Sequence, residues 1–386
     1  MQIPLLTDIV IMLAAGFVSA FVLKKIKFPQ IVSYILAGTL VGPSVLNIIS
    51  NIAEIKLLAE IGVILLLFTI GLEFSLERLL KAKKLILIGG GLQILCTIIL
   101  VFISSYWLNI GWNSAIFLGF LLAISSTAIL LKLLQNKNML NSSLGKRVVG
   151  ILVFQDLSVI PMILILPILE NKGGNIQSVL IQIISTLVFL IGGVLTFRFI
   201  VNFIFPILIK NADKELSIVG IALLCFSLPL FAGFLNISLA LGAFLAGLVV
   251  SETSYKHKVF HSLEELKDLF TCIFFVSIGL LFNVNFVWQN LVLVLFSTLG
   301  VLIINLLATT IALKSVHKWS ESIIAAISLV QIGEFAFVLS KIGLDKNIIS
   351  IQQYNIFLSV AIITMILTPF LLEAAHYLEN RTIEKK

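Results

Sequence analysis

Charged residues are scarce in this sequence. Of its 386 residues only 12% are Asp, Glu, Lys or Arg, whereas 60% are hydrophobic and the mean hydropathy is +1.16. A soluble domain carries about a quarter charged residues, so this chain cannot cover itself with a water-facing surface. The scarcity excludes a soluble globular protein and predicts that lipid is the solvent for most of the chain.

Cysteine and histidine are also rare, and they form no metal-binding or catalytic pattern. Cys96, Cys225 and Cys272 all lie within apolar stretches and lack the spacing of a zinc site. The sequence contains no HExxH motif, no paired Asp-rich motif for diphosphate chemistry and no histidine inside an apolar run. We therefore expect no cofactor and no resident metal, and a membrane-embedded enzyme is the least favoured class of function.

The basic residues give a net charge of +7 but form no patch of the kind that binds nucleic acid. They fall in short groups at alternate junctions between apolar runs. The other junctions hold only Lys56, Lys172, Lys341 and Lys346. By the positive-inside rule this pattern predicts a multi-pass protein of the cell (inner) membrane, with its N-terminus outside and its C-terminus in the cytoplasm.

Apolar runs bounded by charges, Gly, Pro or Asn predict about thirteen membrane-spanning helices. Each span of a bilayer core of about 30 Å needs roughly 20 apolar residues. The predicted spans are 4–23, 28–47, 54–74, 84–107, 113–134, 145–169, 177–208, 214–232, 236–252, 267–283, 287–313, 320–342 and 353–376. The tail after His376 is too short to fold alone, so we interpret residues 1–386 as one all-α transmembrane domain without a soluble regulatory domain.

One carboxylate stands in the middle of an apolar run. Asp156 lies in the FQDLSVIP segment, where Pro161 removes a backbone N–H and frees a carbonyl one turn earlier. A charge near the bilayer centre costs several kcal/mol, which makes such a residue a functional candidate. With the Gln155 amide and the Ser158 hydroxyl, the segment offers hard oxygen ligands to a small cation. One carboxylate holds a proton or a cation but not both, and that exclusion is the minimal chemistry of antiport.

Three consecutive hydroxyl residues interrupt the predicted fifth span. Ser125, Ser126 and Thr127 stand between apolar residues. Such hydroxyls often bond back to carbonyls of their own helix. The alternative is an unwound segment that exposes backbone groups at mid-membrane, as in the discontinuous helices of transporters.

The predicted twelfth span has a second polar interruption. Gly333 permits a local break, and Gln331 and Glu334 share one helical face. Glu334 either takes part in ion binding or balances an exposed helix end. Spans five and twelve then form a matched pair that runs in opposite directions, which fits an inverted repeat of spans 2–6 and 9–13.

These motifs resemble those of the Kef-type potassium/proton antiporters, within the monovalent cation:proton antiporter-2 family. The matching stretches are Ile31–Pro43, Leu65–Glu73, Ile124–Leu131, Phe154–Pro161, Leu239–Gly247, Phe274–Leu280 and Gln331–Val338. The resemblance implies a homodimer with a scaffold (dimerisation) domain and a core domain in which two discontinuous helices cross. It also implies that Asp156 carries ion and proton and that the core moves in an elevator-like fashion.

Two departures from relatives bear on the coupling. Relatives that move sodium electrogenically commonly have two adjacent acids, whereas this chain has Gln155 beside Asp156, the pattern associated with potassium and electroneutral exchange. Many relatives also place a lysine where this chain has Asn305, so pairing of a lysine with the core aspartate is not expected here. Ile332 replaces a glycine of the usual motif.

Three further acids and four histidines lie near predicted helix ends. Glu60 and Glu73 match family positions, and Glu252 is similar; each is either part of an ion path or a solvated helix-end charge. The histidines fall at predicted cytoplasmic ends, where imidazole can sense internal pH; they are His257, His261, His317 and His376. Full Kef systems carry a nucleotide-binding domain after the membrane part, so we expect any regulatory partner to be a separate cytoplasmic subunit.

The sequence thus predicts a secondary transporter that exchanges a monovalent cation for H⁺ by alternating access. K⁺ is favoured over Na⁺, and exchange is expected to be electroneutral. Two other functions use similar folds: a channel-like cation efflux protein without obligatory proton exchange, and a sodium-coupled solute symporter. The symporter requires a roomier polar cavity than these residues suggest.

Overall fold

The computed structural model describes residues 4–25, 28–49, 52–73, 85–170, 192–204, 214–235, 239–253 and 255–384. Within these ranges the chain is helical, with turns and short extended segments and no strand. The α-helices are α1 (Pro4–Lys24), α2 (Gln30–Val41), α3 (Ile52–Glu73), α4 (Gly91–Trp107), α5 (Trp112–Ala123), α6 (Thr127–Asn136), α7 (Ser143–Leu169), α8 (Val194–Phe199), α9 (Lys214–Phe234), α10 (Leu239–Ser251), α11 (Lys256–Leu281), α12 (Val284–Gln289), α13 (Leu291–Lys314), α14 (Trp319–Ser328), α15 (Glu334–Asp345) and α16 (Ile351–Glu384). A π-helical segment, Leu85–Gly90, leads directly into α4.

Six helices among the described residues are long and apolar enough to cross a bilayer. Their spans are Leu5–Lys24, Leu87–Trp107, Ser143–Leu166, Glu215–Phe234, Leu291–Lys314 and Ile351–Glu379. Shorter apolar helices cover Gln30–Val41, Leu57–Thr69, Trp112–Ala123 and Leu239–Ser251. The prediction of an all-helical multi-pass membrane protein is confirmed, while the total of thirteen spans stays a prediction. Most of the predicted seventh span, 177–208, lies outside the described residues.

The tenth and eleventh predicted spans begin differently from the helices observed. Hydropathy placed the tenth span at 267–283, but α11 already begins at Lys256. The first three turns of α11 are rich in charged residues, yet they bury Val259 and Leu263. The helix therefore begins with one charged and one buried face and continues without a break into its apolar part. The eleventh span, predicted from 287, begins as the short α12 and continues as α13 after a turn at Asn290.

The described helices fall into two compact units. The first unit contains α1, most of α2, α3 and α8–α11. Its helices pack closely through glycines: a Cβ at Gly38 of α2 would collide with the Val276 carbonyl, and one at Gly247 of α10 with the Phe68 carbonyl. Small residues that let backbones approach are the usual device of helix packing in membranes.

The second unit contains α4–α7 and α12–α16 and holds every polar interruption described below. One of its apolar clusters joins α6, α7, α13, α14 and α16 through fully buried side chains such as Leu130, Ile151 and Leu372. Close packing of this kind holds the backbone of both interrupted helices in place.

Candidate cation and proton site

Both predicted interruptions are present in the backbone. α5 ends at Ala123 and α6 begins at Thr127, with residues 124–126 extended between them. α14 ends at Ser328 and α15 begins at Glu334. The Gly333 N–H donates to the Ile124 carbonyl at 2.8 Å, so the two interruptions touch. A Cβ at Gly333 would collide with the Ser125 backbone, which explains why glycine stands there.

Asp156 faces the start of α6. The Thr127 hydroxyl lies 3.0 Å from each carboxylate oxygen of Asp156 and donates its hydrogen to the pair. Thr127 is the first residue of α6, whose N-terminal end carries the positive end of the helix dipole and favours a nearby negative charge. The half-buried carboxylate of Asp156 is thus held at the N-terminal end of α6.

Glu334 is a buried acid of the same unit, with 6% of its surface exposed. Ser126 Oγ donates to Glu334 Oε2 at 2.6 Å and also accepts from the Ile129 N–H at 3.3 Å, which caps α6. The neighbouring Ser125 hydroxyl donates to the Leu329 carbonyl at 2.7 Å, at the end of α14. Consecutive hydroxyls at the break between α5 and α6 therefore serve both acids and tie the two interruptions together.

Both the oxygen and the nitrogen of the Gln155 side-chain amide are hydrogen-bonded to protein groups. Its Oε1 accepts from the Ser125 N–H at 2.9 Å, and its Nε2 donates to Gln93 Oε1 at 2.9 Å. Gln93 in turn donates from Nε2 to the Ala123 carbonyl at 3.2 Å. Sequence reasoning missed Gln93, for which the only signal was a lone amide within the apolar run of α4.

The remaining predicted residues of the second unit occupy different places. The Ser158 hydroxyl donates to the Phe154 carbonyl of its own helix at 2.8 Å. Asn305 Nδ2 donates to the Val330 carbonyl at 3.0 Å, beside the second interruption. Gln331 is fully buried, and neither amide atom has a hydrogen-bond partner among the described residues.

The predicted ion-path acids Glu60 and Glu252 belong to the first unit. Glu60 is half-buried on α3 of the first unit. Glu252 follows α10 in the same unit and pairs with Arg198 at 3.6 Å, with both side chains well exposed. The side chain of Glu73 lies outside the described residues. The structure thus brings together Ser125, Ser126, Thr127, Gln155, Asp156, Gly333 and Glu334, with Asn305 and Gln331 beside them.

The site has the chemistry of a small-cation and proton site. It combines a carboxylate, a hydroxyl and the backbone of an extended segment, all hard oxygen donors of the kind that bind alkali cations. Within the ranges that the structure describes, no three His, Cys, Asp or Glu side chains are grouped as a metal site would require. An alkali cation here would be a transported substrate.

A many-helix membrane protein whose interrupted helices meet beside a buried carboxylate belongs to the class of secondary transporters. More specifically, the chain belongs to the sodium/hydrogen exchanger transmembrane family, whose sequence model matches residues 9–374. This is a family of cation/proton antiporters and not of enzymes.

Similar proteins of known role cover almost the whole chain. It is 30% identical to K(+) efflux antiporter 5 of Arabidopsis thaliana, over 96% of this chain and 66% of that protein. It is 31% identical to the iron transporter MagA of Paramagnetospirillum magneticum, over 95% of this chain and 85% of that protein. A glutathione-regulated potassium-efflux system protein of Haemophilus influenzae is 28% identical, over 99% of this chain and 62% of that protein. The resemblance to potassium-efflux antiporters is confirmed, and the chain spans about two thirds of the length of K(+) efflux antiporter 5.

A solved structure has the same fold. The sodium proton antiporter MjNhaP1 of Methanocaldococcus jannaschii matches with a TM-score of 0.69, 19% sequence identity and coverage of 96% of both chains.

Proposed function

We propose that this protein exchanges a monovalent cation for a proton at Asp156, with K⁺ as the preferred cation. The observation that carries the proposal is the Asp156 carboxylate held by the Thr127 hydroxyl at the broken helix, 3.0 Å from each oxygen. Membership of the exchanger family supports exchange against H⁺. The potassium-efflux role of two similar proteins supports K⁺, and Na⁺ is the alternative.

Coupling follows from competition for one carboxylate. A proton on Asp156 removes the negative charge that a cation needs, and a bound cation repels the proton. Alternating access then carries either ligand across the membrane, so that downhill movement of one drives the other. With Gln155 beside Asp156 and Asn305 in place of a lysine, one positive charge replaces another, and exchange is electroneutral.

The architecture we propose has thirteen spans, with spans 2–6 and 9–13 as inverted repeats and the two interrupted helices crossing. The contact between the Gly333 N–H and the Ile124 carbonyl supports the crossing. We further propose a homodimer in the cell (inner) membrane with its N-terminus outside, and regulation by a separate cytoplasmic subunit. The distribution of basic residues supports the orientation.

Proteoliposomes with an internal pH dye test the function. K⁺, Na⁺ or Li⁺ is added outside vesicles that hold a proton gradient, and wild type is compared with Asp156→Asn. We expect wild type to dissipate the gradient with K⁺ and Asp156→Asn to be inactive. The matched control is Asp268→Asn, since Asp268 lies 70% exposed on α11; it should exchange like wild type.

Four outcomes would count against the proposal. Wild-type rates in Asp156→Asn would show that the site lies elsewhere. Cation flux without pH change would favour a channel-like protein, and pH change only with an added organic solute would favour a symporter. Strong dependence of the K⁺/H⁺ rate on an imposed membrane potential would contradict electroneutral exchange.

A further inference from the structure

Gln93 of α4 lies at the centre of a buried relay of amides. It accepts from Gln155 Nε2 at 2.9 Å and donates from its own Nε2 to the Ala123 carbonyl at 3.2 Å. Gln93 and Gln155 are 1% and 0% exposed. We propose that Gln93 is a positioning residue for the cation site, acting through Gln155, and that neither amide binds the cation. This inference rests on the proposed function of Asp156.

The relay satisfies the backbone where α5 stops. An interrupted helix leaves carbonyl and N–H groups without helical partners, and such groups are costly when no water reaches them. Gln93 supplies a donor to the carbonyl of Ala123, the last residue of α5. Gln155 supplies an acceptor to the N–H of Ser125, two residues later. One pair of side chains therefore stabilises the backbone at Ala123, just before the extended segment, and at Ser125 within it.

The cation ligands depend on that conformation. Thr127 follows the extended segment directly, and its hydroxyl is the group that holds Asp156. Gln155 immediately precedes Asp156 on α7 and is bonded to Ser125, two residues before Thr127. The relay therefore fixes Thr127 and Asp156 relative to each other. Supporting residues of this kind orient a site's ligands, and their loss weakens binding without removing a ligand.

Replacing Gln93 distinguishes the relay from a simpler hypothesis, in which Gln155 binds the cation itself. If Gln155 were a ligand, replacing Gln93 would leave the ligand set complete. If the two amides act as one relay, replacing either breaks the same support. The double variant then adds little to the single ones, because coupled residues are not additive.

The test measures K⁺/H⁺ exchange kinetics in proteoliposomes for Gln93→Met, Gln155→Met and the double variant. We expect KM for K⁺ to rise about tenfold in all three, equivalent to about 1.4 kcal/mol, with a much smaller change in the maximal rate. Gln93→Glu keeps an acceptor for Gln155 and should lie between wild type and Gln93→Met. Gln135→Met, at an exposed position of α6, is the control and should leave KM unchanged.

Hydrogen exchange of residues 123–127 gives a second readout that needs no transport. Gln93→Met should speed exchange at the Ser125 N–H, and Gln135→Met should not. A wild-type KM in Gln93→Met beside a raised KM in Gln155→Met would overturn the relay and make Gln155 a ligand. A lower maximal rate with unchanged KM, or unaltered hydrogen exchange, would also overturn it. If wild type shows no K⁺/H⁺ exchange in proteoliposomes, the proposed function is refuted. The relay would then be decided by amide hydrogen exchange alone.

Discussion

At the scale of single residues, the described site depends on which side-chain hydrogens point at which carboxylate. Ser126 ends the extended segment and Thr127 begins α6, and their side chains reach different carboxylates. One reaches Glu334 and the other Asp156. The break thus lets two adjacent hydroxyls serve two different acids, the buried Glu334 and the half-buried Asp156.

Thr127→Val tests the hydroxyl while preserving the shape of the side chain. Because hydrogen bonds to charged groups contribute about 1.5–3 kcal/mol, we expect the KM for the cation to rise roughly tenfold or more. Thr127→Ser retains the hydroxyl and should recover most of the affinity. The measurement is exchange rate against K⁺ concentration in proteoliposomes. Equal KM values for wild type and Thr127→Val would show that this hydroxyl does not support the bound state.

His317 gives a pH dependence that can be measured separately from transport. It lies between α13 and α14, and burial, with a further effect of the nearby Arg147, lowers its pKa from the usual 6.5, while Glu321 acts in the opposite direction. The folded protein therefore binds fewer protons at His317 than the unfolded chain. Stability from this group is complete above pH 6.5 and is lost as the pH falls from 6.5 through the lowered pKa.

His317→Asn should consequently flatten the acid side of the stability profile. Melting temperatures in detergent, recorded between neutral and acidic pH, provide the comparison with wild type. His261→Asn is the control, because His261 is 78% exposed beside Glu264 on α11. An acid-side slope that is identical in wild type and His317→Asn would contradict this role of His317.

At the scale of helices, one buried arginine joins three elements of the second unit. Arg147 of α7 is 4% exposed. Its guanidinium donates to Glu321 of α14 at 3.2 Å and to Glu379 of α16 at 3.3 Å. It also donates to Ser143 of its own helix at 3.0 Å. Charges that are paired in this way become costly when one partner is removed.

Arg147→Met should lower the free energy of unfolding by about 3 kcal/mol, since it leaves two carboxylates without their shared cation. Lys137→Met is the matched control. Lys137 pairs with Glu373 at 3.8 Å near the surface, where the Glu373 side chain is 73% and that of Lys137 is 35% exposed, and surface pairs contribute about 0–1 kcal/mol. Denaturant unfolding in detergent measures both variants. Similar losses in the two variants would show that burial of the Arg147 cluster adds nothing.

The helices themselves were largely predictable, because apolar length and flanking charges determine where a span can lie. The break at residues 124–126 was also predictable from three successive hydroxyl residues. The early start of α11 was not, since hydropathy does not register a charged helix face that continues out of the apolar region.

The contacts between the site residues were harder to predict than which residues form the site. Asp156 was identifiable as a charge in an apolar run, but nothing in the sequence gave its distance to Thr127. Gln93 lies 62 positions from Gln155, and only the packing of α4 against the break joins them. A lone glutamine in an apolar helix carries no sign of its partner, so long-range pairing of this kind needs coordinates.

At the scale of the whole molecule, composition and family agree on a membrane-embedded antiporter. The chain has few charges, six long apolar helices among its described residues and a family match over residues 9–374. Within the second unit, the side chains buried where two helices break include Ser125, Ser126, Gln155, Gln331 and Glu334. Buried polar side chains at such a place are expected of a protein whose chemistry takes place inside a bilayer.

The most direct test of the central claim, that Asp156 holds either a proton or a cation, is proton release in detergent. K⁺ is added to weakly buffered protein below the pH at which Asp156 is fully ionised, and a pH dye records the protons displaced. The account predicts proton release that saturates with K⁺ at no more than one proton per chain, as expected when a cation and a proton share one site, and none from Asp156→Asn. Undiminished release from Asp156→Asn, or K⁺ binding by wild type without any release, would contradict it.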